Sequence, residues 1–162
     1  MVRIGMVTVV GGILVALGVL LFMYTENSTN LIHAEAGDTV RIGPVEYVLT
    51  FEGTHEGNKE LQPEHTFVTI GIVAKNIGNE KTLLSGGQFL IVDPGLQKSE
   101  PIYGEFSSKD LLLEWLEPNK PVEKTTQFDI EFDESKQYKI LLRSHKDQTS
   151  SEIAQICILN CN

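Results

Sequence analysis

The sequence predicts an all-β fold, an antiparallel β-sandwich of seven to eight strands with one short helix, preceded by a single N-terminal transmembrane helix. Three observations predict it. Apolar residues alternate with polar ones in period two from Thr39 to Leu159, the pattern of strands buried on one face. Turn-forming pairs punctuate that alternation at sandwich-like intervals. Ahead of both, Ile4 to Tyr24 holds 16 hydrophobic residues, four glycines, Thr8 and no charge.

A helix rising about 1.5 Å per residue needs roughly 20 apolar residues to cross a hydrocarbon core of about 30 Å. The 21 residues from Ile4 to Tyr24 meet that length and exceed the roughly 7–15 residues of the apolar h-region in a cleaved signal peptide. Arg3 precedes the block, whereas Glu26 and Glu35 come before the next base, Arg41. The positive-inside rule then expects a single-pass protein of the cell membrane, its N-terminus cytoplasmic and its C-terminal domain outside. Gly12 and Ala16 form a small-xxx-small pair that would let two membrane helices pack closely, in homo- or hetero-association. The expected division is an anchor over residues 1–24, a polar linker over 25–37 and a domain over 38–162. Asn27 opens an Asn-Ser-Thr glycosylation sequon in the linker.

Within the domain a short strand is expected around Thr39 to Ile42, then a half-buried one carrying Val45, Tyr47, Leu49 and Phe51 inward. Val68, Ile70, Ile72 and Ala74 give the next alternation, closed by Asn76-Ile77-Gly78-Asn79. Phe89 to Val92 is a continuous apolar run stopped by Asp93-Pro94-Gly95. Thr126, Phe128, Ile130 and Phe132 alternate with acidic or polar neighbours, and two more strands follow at Tyr138 to Leu142 and Ile153 to Leu159. One stretch breaks the pattern. Ser107 to Asp110 resembles a capping box, and Leu111, Leu112, Trp115 and Leu116 follow at helix-like spacing, so a short helix ending before Pro118 is expected to plug the sandwich through Trp115.

After Tyr24 the chain carries 12 Lys+Arg against 22 Asp+Glu, a balance that disfavours nucleic acid as a partner. Cys157 and Cys161 have the C-x-x-x-C spacing of a binuclear copper site, but no His or Met follows them and all three Met lie at or before Met23. A disulfide is the better reading. On a straight strand the two Cα atoms would lie about 13 Å apart, against the roughly 7 Å a bridge tolerates, so the chain must turn after Leu159, with Asn160 as pivot. His33, His55, His65 and His145 are dispersed, without zinc-ligand spacing. Asp129, Glu131 and Asp133 are expected on one strand face about 6.8 Å apart, an acidic stripe open to a hard cation or a basic partner. No nucleophile elbow or phosphate-cradling loop occurs, and neither a catalytic residue nor a cofactor is expected.

The phrases VTIGIVAKNIGNE, QFLIVD, LEPNKPVEKTTQFDIEFDES and YKILLRS carry a resemblance. Between Gly43 and Arg143 the chain resembles the immunoglobulin-like domain of unknown function of prokaryotic lipoproteins and membrane-anchored proteins. That family is similar in fold to secreted immunoprotective antigens and is also labelled telomeric-repeat-binding-factor-like. An alternating strand ending in Asn-x-Gly is matched by Asn76 to Gly78, and the aromatic-x-apolar step by Phe128 to Ile130. The resemblance implies an envelope-exposed β-sandwich and no catalytic residues. The expected function is a membrane-anchored extracytoplasmic binding module, touching the lipid bilayer through its anchor and an envelope protein through its surface. The alternatives are an assembly subunit docked through its membrane helix and an envelope metal-handling protein.

Overall fold

The computed structural model describes residues 13–19, 30–145 and 152–161. The chain divides into two units, Met1–Asn30 and Leu31–Asn162. In the first, residues 13–19 are helical with exposed side chains, and Ala16 lies among them. Among the described residues no helix is long and apolar enough to cross a membrane. This corrects the expectation of a transmembrane helix, and the single-pass topology that rested on it has no support among the described residues. Residues 4–12 and 20–24 lie outside the described residues, as do Gly12 of the small-xxx-small pair and Asn27 of the sequon.

The second unit is built of strands β1 (Asn30–Glu35), β2 (Thr39–Ile42), β3 (Val45–His55), β4 (Thr66–Asn76), β5 (Thr82–Ser85), β6 (Phe89–Val92), β7 (Lys98–Ser99), β8 (Leu113–Leu116), β9 (Pro121–Ile130), β10 (Tyr138–Arg143) and β11 (Glu152–Leu159). They form a five-stranded sheet, β1-β11-β10-β6-β7, a four-stranded sheet, β2-β3-β4-β9, and a separate β5-β8 ribbon. The four-stranded sheet is antiparallel throughout. Its long strands stay in register from Thr66↔Ile130 to Lys75↔Pro121. Gly53, at φ +120°, stands where the β3–β4 register shifts, a backbone conformation that only glycine adopts freely.

The core lies between the sheets, where the alternating residues point. Tyr47, Leu49, Ile70 and Ile72 from one sheet meet Phe89, Ile91, Ile140 and Ile156 from the other. Tyr47 and Phe89 meet edge to face across the interior, ring centroids 6.1 Å apart. The Tyr47 hydroxyl receives one long hydrogen bond, 3.5 Å from Gln88 Nε2, and burial pushes its pKa up to about 12 against the lowering effect of that bond. Tyr138 keeps its hydroxyl at the rim, donating to the Glu131 carbonyl at 3.2 Å and accepting from Asp133 N–H at 2.9 Å. One side chain thereby closes the β9–β10 turn, in the manner of a tyrosine corner.

The strands expected from alternation all occur, and four more join them. β1 occupies residues expected in the linker, and β5, β7 and β8 had no clear period-two signal. The short helix is a 3₁₀ turn at Gly86–Gln88, not a helix after Ser107. Leu113–Leu116 is instead β8, paired with β5 through Leu83↔Trp115 and Ser85↔Leu113. Trp115 faces outward and plugs nothing. The ladder forms because Leu84 and Leu116 are both fully buried on the ribbon's inner face, and a helix from Leu111 would have carried only one turn of apolar contact.

Candidate functional site

Between β7 and β8 the chain runs as an irregular strap over residues 100–112, laid along the outer edge of β9. Its backbone completes what that edge would leave open. Ile102 N–H donates to the Gln127 carbonyl at 2.8 Å, Leu111 N–H to the Thr125 carbonyl at 2.8 Å, and Thr125 N–H to the Lys109 carbonyl at 2.9 Å. Covering this edge of the four-stranded sheet removes a template for uncontrolled strand addition.

Asp110 holds the strap in shape. Oδ2 accepts from Phe106 N–H at 2.6 Å and Ser107 N–H at 3.0 Å. Oδ1 accepts from Ser107 Oγ at 2.9 Å, Thr125 Oγ1 at 3.1 Å and Gln127 Nε2 at 3.0 Å. Partial burial raises the Asp110 pKa, but these donors outweigh it and hold the carboxyl below its usual range. With both oxygens saturated, Asp110 organises the loop and is no free base. Phe106 packs edge-on against His55 and Phe67, with centroids 4.9 and 5.0 Å away. His55 Nδ1 is itself spent on Gly57 N–H at 3.0 Å.

Beneath the strap opens a cleft of about 690 Å³, lined among others by Ile102, Tyr103, Glu105, Phe106, Leu112 and Gln127. Tyr103 lies over Gly86, where a Cβ would stand 2.7 Å from its ring, so only glycine fits beneath it. Next to the cleft the ribbon turns its apolar side outward. Leu112, Leu113 and Trp115 are 66%, 58% and 59% exposed, and Tyr103 is 51% exposed. These residues give the strap and ribbon an aromatic and aliphatic surface, where the long strands expose such side chains singly, as at Leu31 and Val73.

The residues singled out in the sequence lie elsewhere. Cys157 and Cys161 are joined, with Cα atoms 5.7 Å apart, and Asn160 between them adopts φ +52°. The Asn160 side chain donates to the carbonyls of Glu134 and Lys136, fastening the bridge to the β9–β10 turn. The acidic stripe is not a strand face, because β9 ends at Ile130. Asp129 accepts the Glu64 and His65 amides at 2.7 and 2.9 Å, tying down the loop before β4. Asp133 accepts from the Ser135 hydroxyl at 2.7 Å and from its amide at 3.0 Å, bonds that lower its pKa. Glu131 is exposed beside them. Among the described residues no group of three His, Cys, Asp or Glu is placed to hold a metal. The strap cleft and ribbon face were missed in the sequence. The signal that could have found them is Leu111-Leu112-Leu113-x-Trp115, more apolar residues than one strand or one short helix can bury.

Two packed β-sheets over a single core, with a strap and ribbon laid on the outside, define an immunoglobulin-like sandwich domain. Residues 34–152 match the family described as domain of unknown function DUF4352, and the chain belongs to it. Solved structures agree on the fold. The YjhA protein of Bacillus subtilis superposes with a TM-score of 0.60 at 14% identity, covering 77% of this chain and 98% of its own. The secreted protein MPT63 of Mycobacterium tuberculosis gives 0.61 at 7% identity, covering 79% and 99%. A candidate lipoprotein of Bacillus subtilis, YcdA, gives 0.56 at 16% identity, covering 76% of this chain but only 39% of the longer neighbour. No curated protein matches the chain in sequence.

Proposed function

We propose that this chain is a non-catalytic, extracytoplasmic interaction module of the cell envelope, which binds a partner protein through the ribbon face and the adjoining cleft. The observation that carries the reading is the outward cluster of Tyr103, Leu112, Leu113 and Trp115. Exposed aromatic and large aliphatic side chains gathered on one patch are the composition of a binding hot spot. Edge-strand recognition has less support, since the strap covers β9 and the sheet edges at β1, β2 and β7 are only six, four and two residues long. The Cys157–Cys161 bridge supports an oxidising compartment. The secreted and candidate-lipoprotein neighbours support an envelope location.

A photo-crosslinking residue at Leu113, introduced in intact cells and read by mass spectrometry, tests the proposal. A discrete adduct is expected that is absent when the crosslinker stands at Val73 on β4 and is lost in Trp115→Ser with no loss of thermal stability. Equal capture from both positions, or an adduct indifferent to Trp115, would sink the reading.

A further inference from the structure

We infer that the strap cleft is a receptor for a cationic side chain, so that the partner presents a Lys or Arg flanked by apolar residues which dock on the ribbon face. The inference rests on the docking reading above and adds the chemistry of the occupant. Three features of the cleft converge on a cation.

The first is its charge. The lining residues include Glu105 and Asp110 and contain neither Lys nor Arg. Glu100 lies near enough to Tyr103 to help burial raise the pKa of that phenol. The nearest lysines of the strap and of β9 are engaged elsewhere. Lys109 pairs with Glu123 at 3.0 Å, and Lys124 with Glu114 at 2.8 Å. Glu100 and Glu105 take part in no ion pair among the described residues.

The second is a buried acceptor. Gln127 is 3% exposed and lines the cleft. Its Nε2 must face Asp110, because an ionised carboxylate only accepts, and this fixes the amide orientation. Oε1 is left without a donor among the described residues. A buried carbonyl oxygen without a donor costs about 1–3 kcal/mol, and an ammonium or guanidinium entering the cleft would satisfy it.

The third is the aromatic wall. Tyr103 and Phe106 both line the cleft, and a cation over an aromatic face gains about 0.5–2 kcal/mol as it is desolvated. A membrane surface fits the same face poorly. Lipid-docking faces carry basic residues toward anionic headgroups, and here carboxylates border the apolar patch.

Selection of a random-peptide display library on the full-length chain tests the inference. Enriched peptides are expected to carry Lys or Arg next to Trp, Phe or Leu. A synthetic consensus peptide should shift the emission of Trp115, the chain's one tryptophan, to shorter wavelength. Glu100→Gln and Glu105→Gln should each weaken that peptide about two- to fivefold, and Glu105→Lys more. Enriched peptides that are neutral or acidic, no enrichment at all, or affinity unchanged by Glu105→Lys would overturn the cation assignment. So would an equal Trp115 shift with pure phosphatidylcholine vesicles. Leu113→Asp separates the two proposals. If cationic peptides bind that variant as well as the natural chain, the docking face fails. If uncharged apolar peptides bind the natural chain and lose Leu113→Asp, the docking face stands and the cation site falls.

Discussion

Asn76→Ala should be among the most damaging single polar changes in the domain, and the structure gives the magnitude. Asn76 is fully buried at the end of β4. Its Nδ2 donates to the Glu80 carbonyl at 2.7 Å and the Leu116 carbonyl at 3.0 Å, and its Oδ1 accepts from Gly78 N–H at 2.9 Å. One amide thus ties the end of the main sheet, the turn after it and the last residue of β8. Leu116 is also fully buried, so truncation leaves its carbonyl without that donor at about 1–3 kcal/mol. The small void left by the amide adds to that, for a total of about 2–4 kcal/mol. At roughly 3–4 °C per kcal/mol for a domain of this size, the midpoint should fall by about 6–16 °C in calorimetry. Asn76→Asp sharpens the test through pH. A carboxylate aimed at two carbonyls has its folded-state pKa raised above the unfolded value near 3.9. The penalty is therefore absent below that value and grows as pH rises through the window up to the folded pKa. The Asp variant should approach the natural protein in acid and fall below the Ala variant at neutral pH. An Ala variant within about 0.5 kcal/mol of the natural chain, or an Asp variant indifferent to pH, would refute the reasoning.

Four further outcomes follow from the same geometry. Asp110→Ala should raise the hydrogen-exchange rates of the Phe106 and Ser107 amides more than those of β9. Because the folded-state pKa of Asp110 is lowered, its contribution in the natural chain is present above the unfolded value near 3.8 and is lost as pH falls through the folded one, which exchange measured in acid would follow. Replacing Cys157 and Cys161 together by Ser should cost about 2 kcal/mol in urea unfolding, since a bridge between residues four apart closes only a small loop, and the reduced natural protein should show the same loss. Between about pH 10 and 12 the natural protein should lose stability that Tyr47→Phe retains, because the folded-state phenol titrates above the unfolded one and the buried phenolate is disfavoured. Gly57→Ala should destabilise the loop after β3, as Gly57 sits at φ +78° and a Cβ there would collide with the Leu61 carbonyl oxygen, measurable as a lowered unfolding midpoint.

The legible part of the fold was the part governed by a single rule. Tyr47-Leu49, Ile70-Ile72 and Phe128-Ile130 alternate because each strand has one face on the core, and the ladder between β4 and β9 follows those faces residue by residue. β1 escaped because an edge strand buries little. Its residues Asn30 to Glu35 are exposed or half-buried, so composition could not separate it from a linker. For the N-terminal block, apolar content specifies a preferred medium, and among the described residues no helix long enough to cross a membrane accompanies it. Asn76 was visible as the end of a strand in an Asn-x-Gly step, but its bond to Leu116, forty residues away, is a tertiary fact that no local pattern carries.

The candidate site was hidden by the same rule that revealed the core. Reading apolar residues as inward makes Leu111, Leu112, Trp115 and Leu116 a helical stripe, whereas the chain buries only Leu111 and Leu116 and turns Leu112, Leu113 and Trp115 to solvent. The two sheets supply most of the interior, and Leu84, Leu111 and Leu116 are the strap and ribbon side chains that enter it, so the remaining apolar ones stay outside. They persist on the surface beside a cleft where, among the described residues, Glu105 and Asp110 have no basic partner and the Gln127 carbonyl oxygen has no donor. Each of these departures costs the isolated domain stability, and one occupant, a cationic segment with apolar neighbours, would relieve all three at once. That joint relief separates a binding face from a set of unrelated surface accidents: the effects of Trp115→Ser and Glu105→Gln on affinity should be coupled in a double-mutant cycle, whereas independent accidents would add.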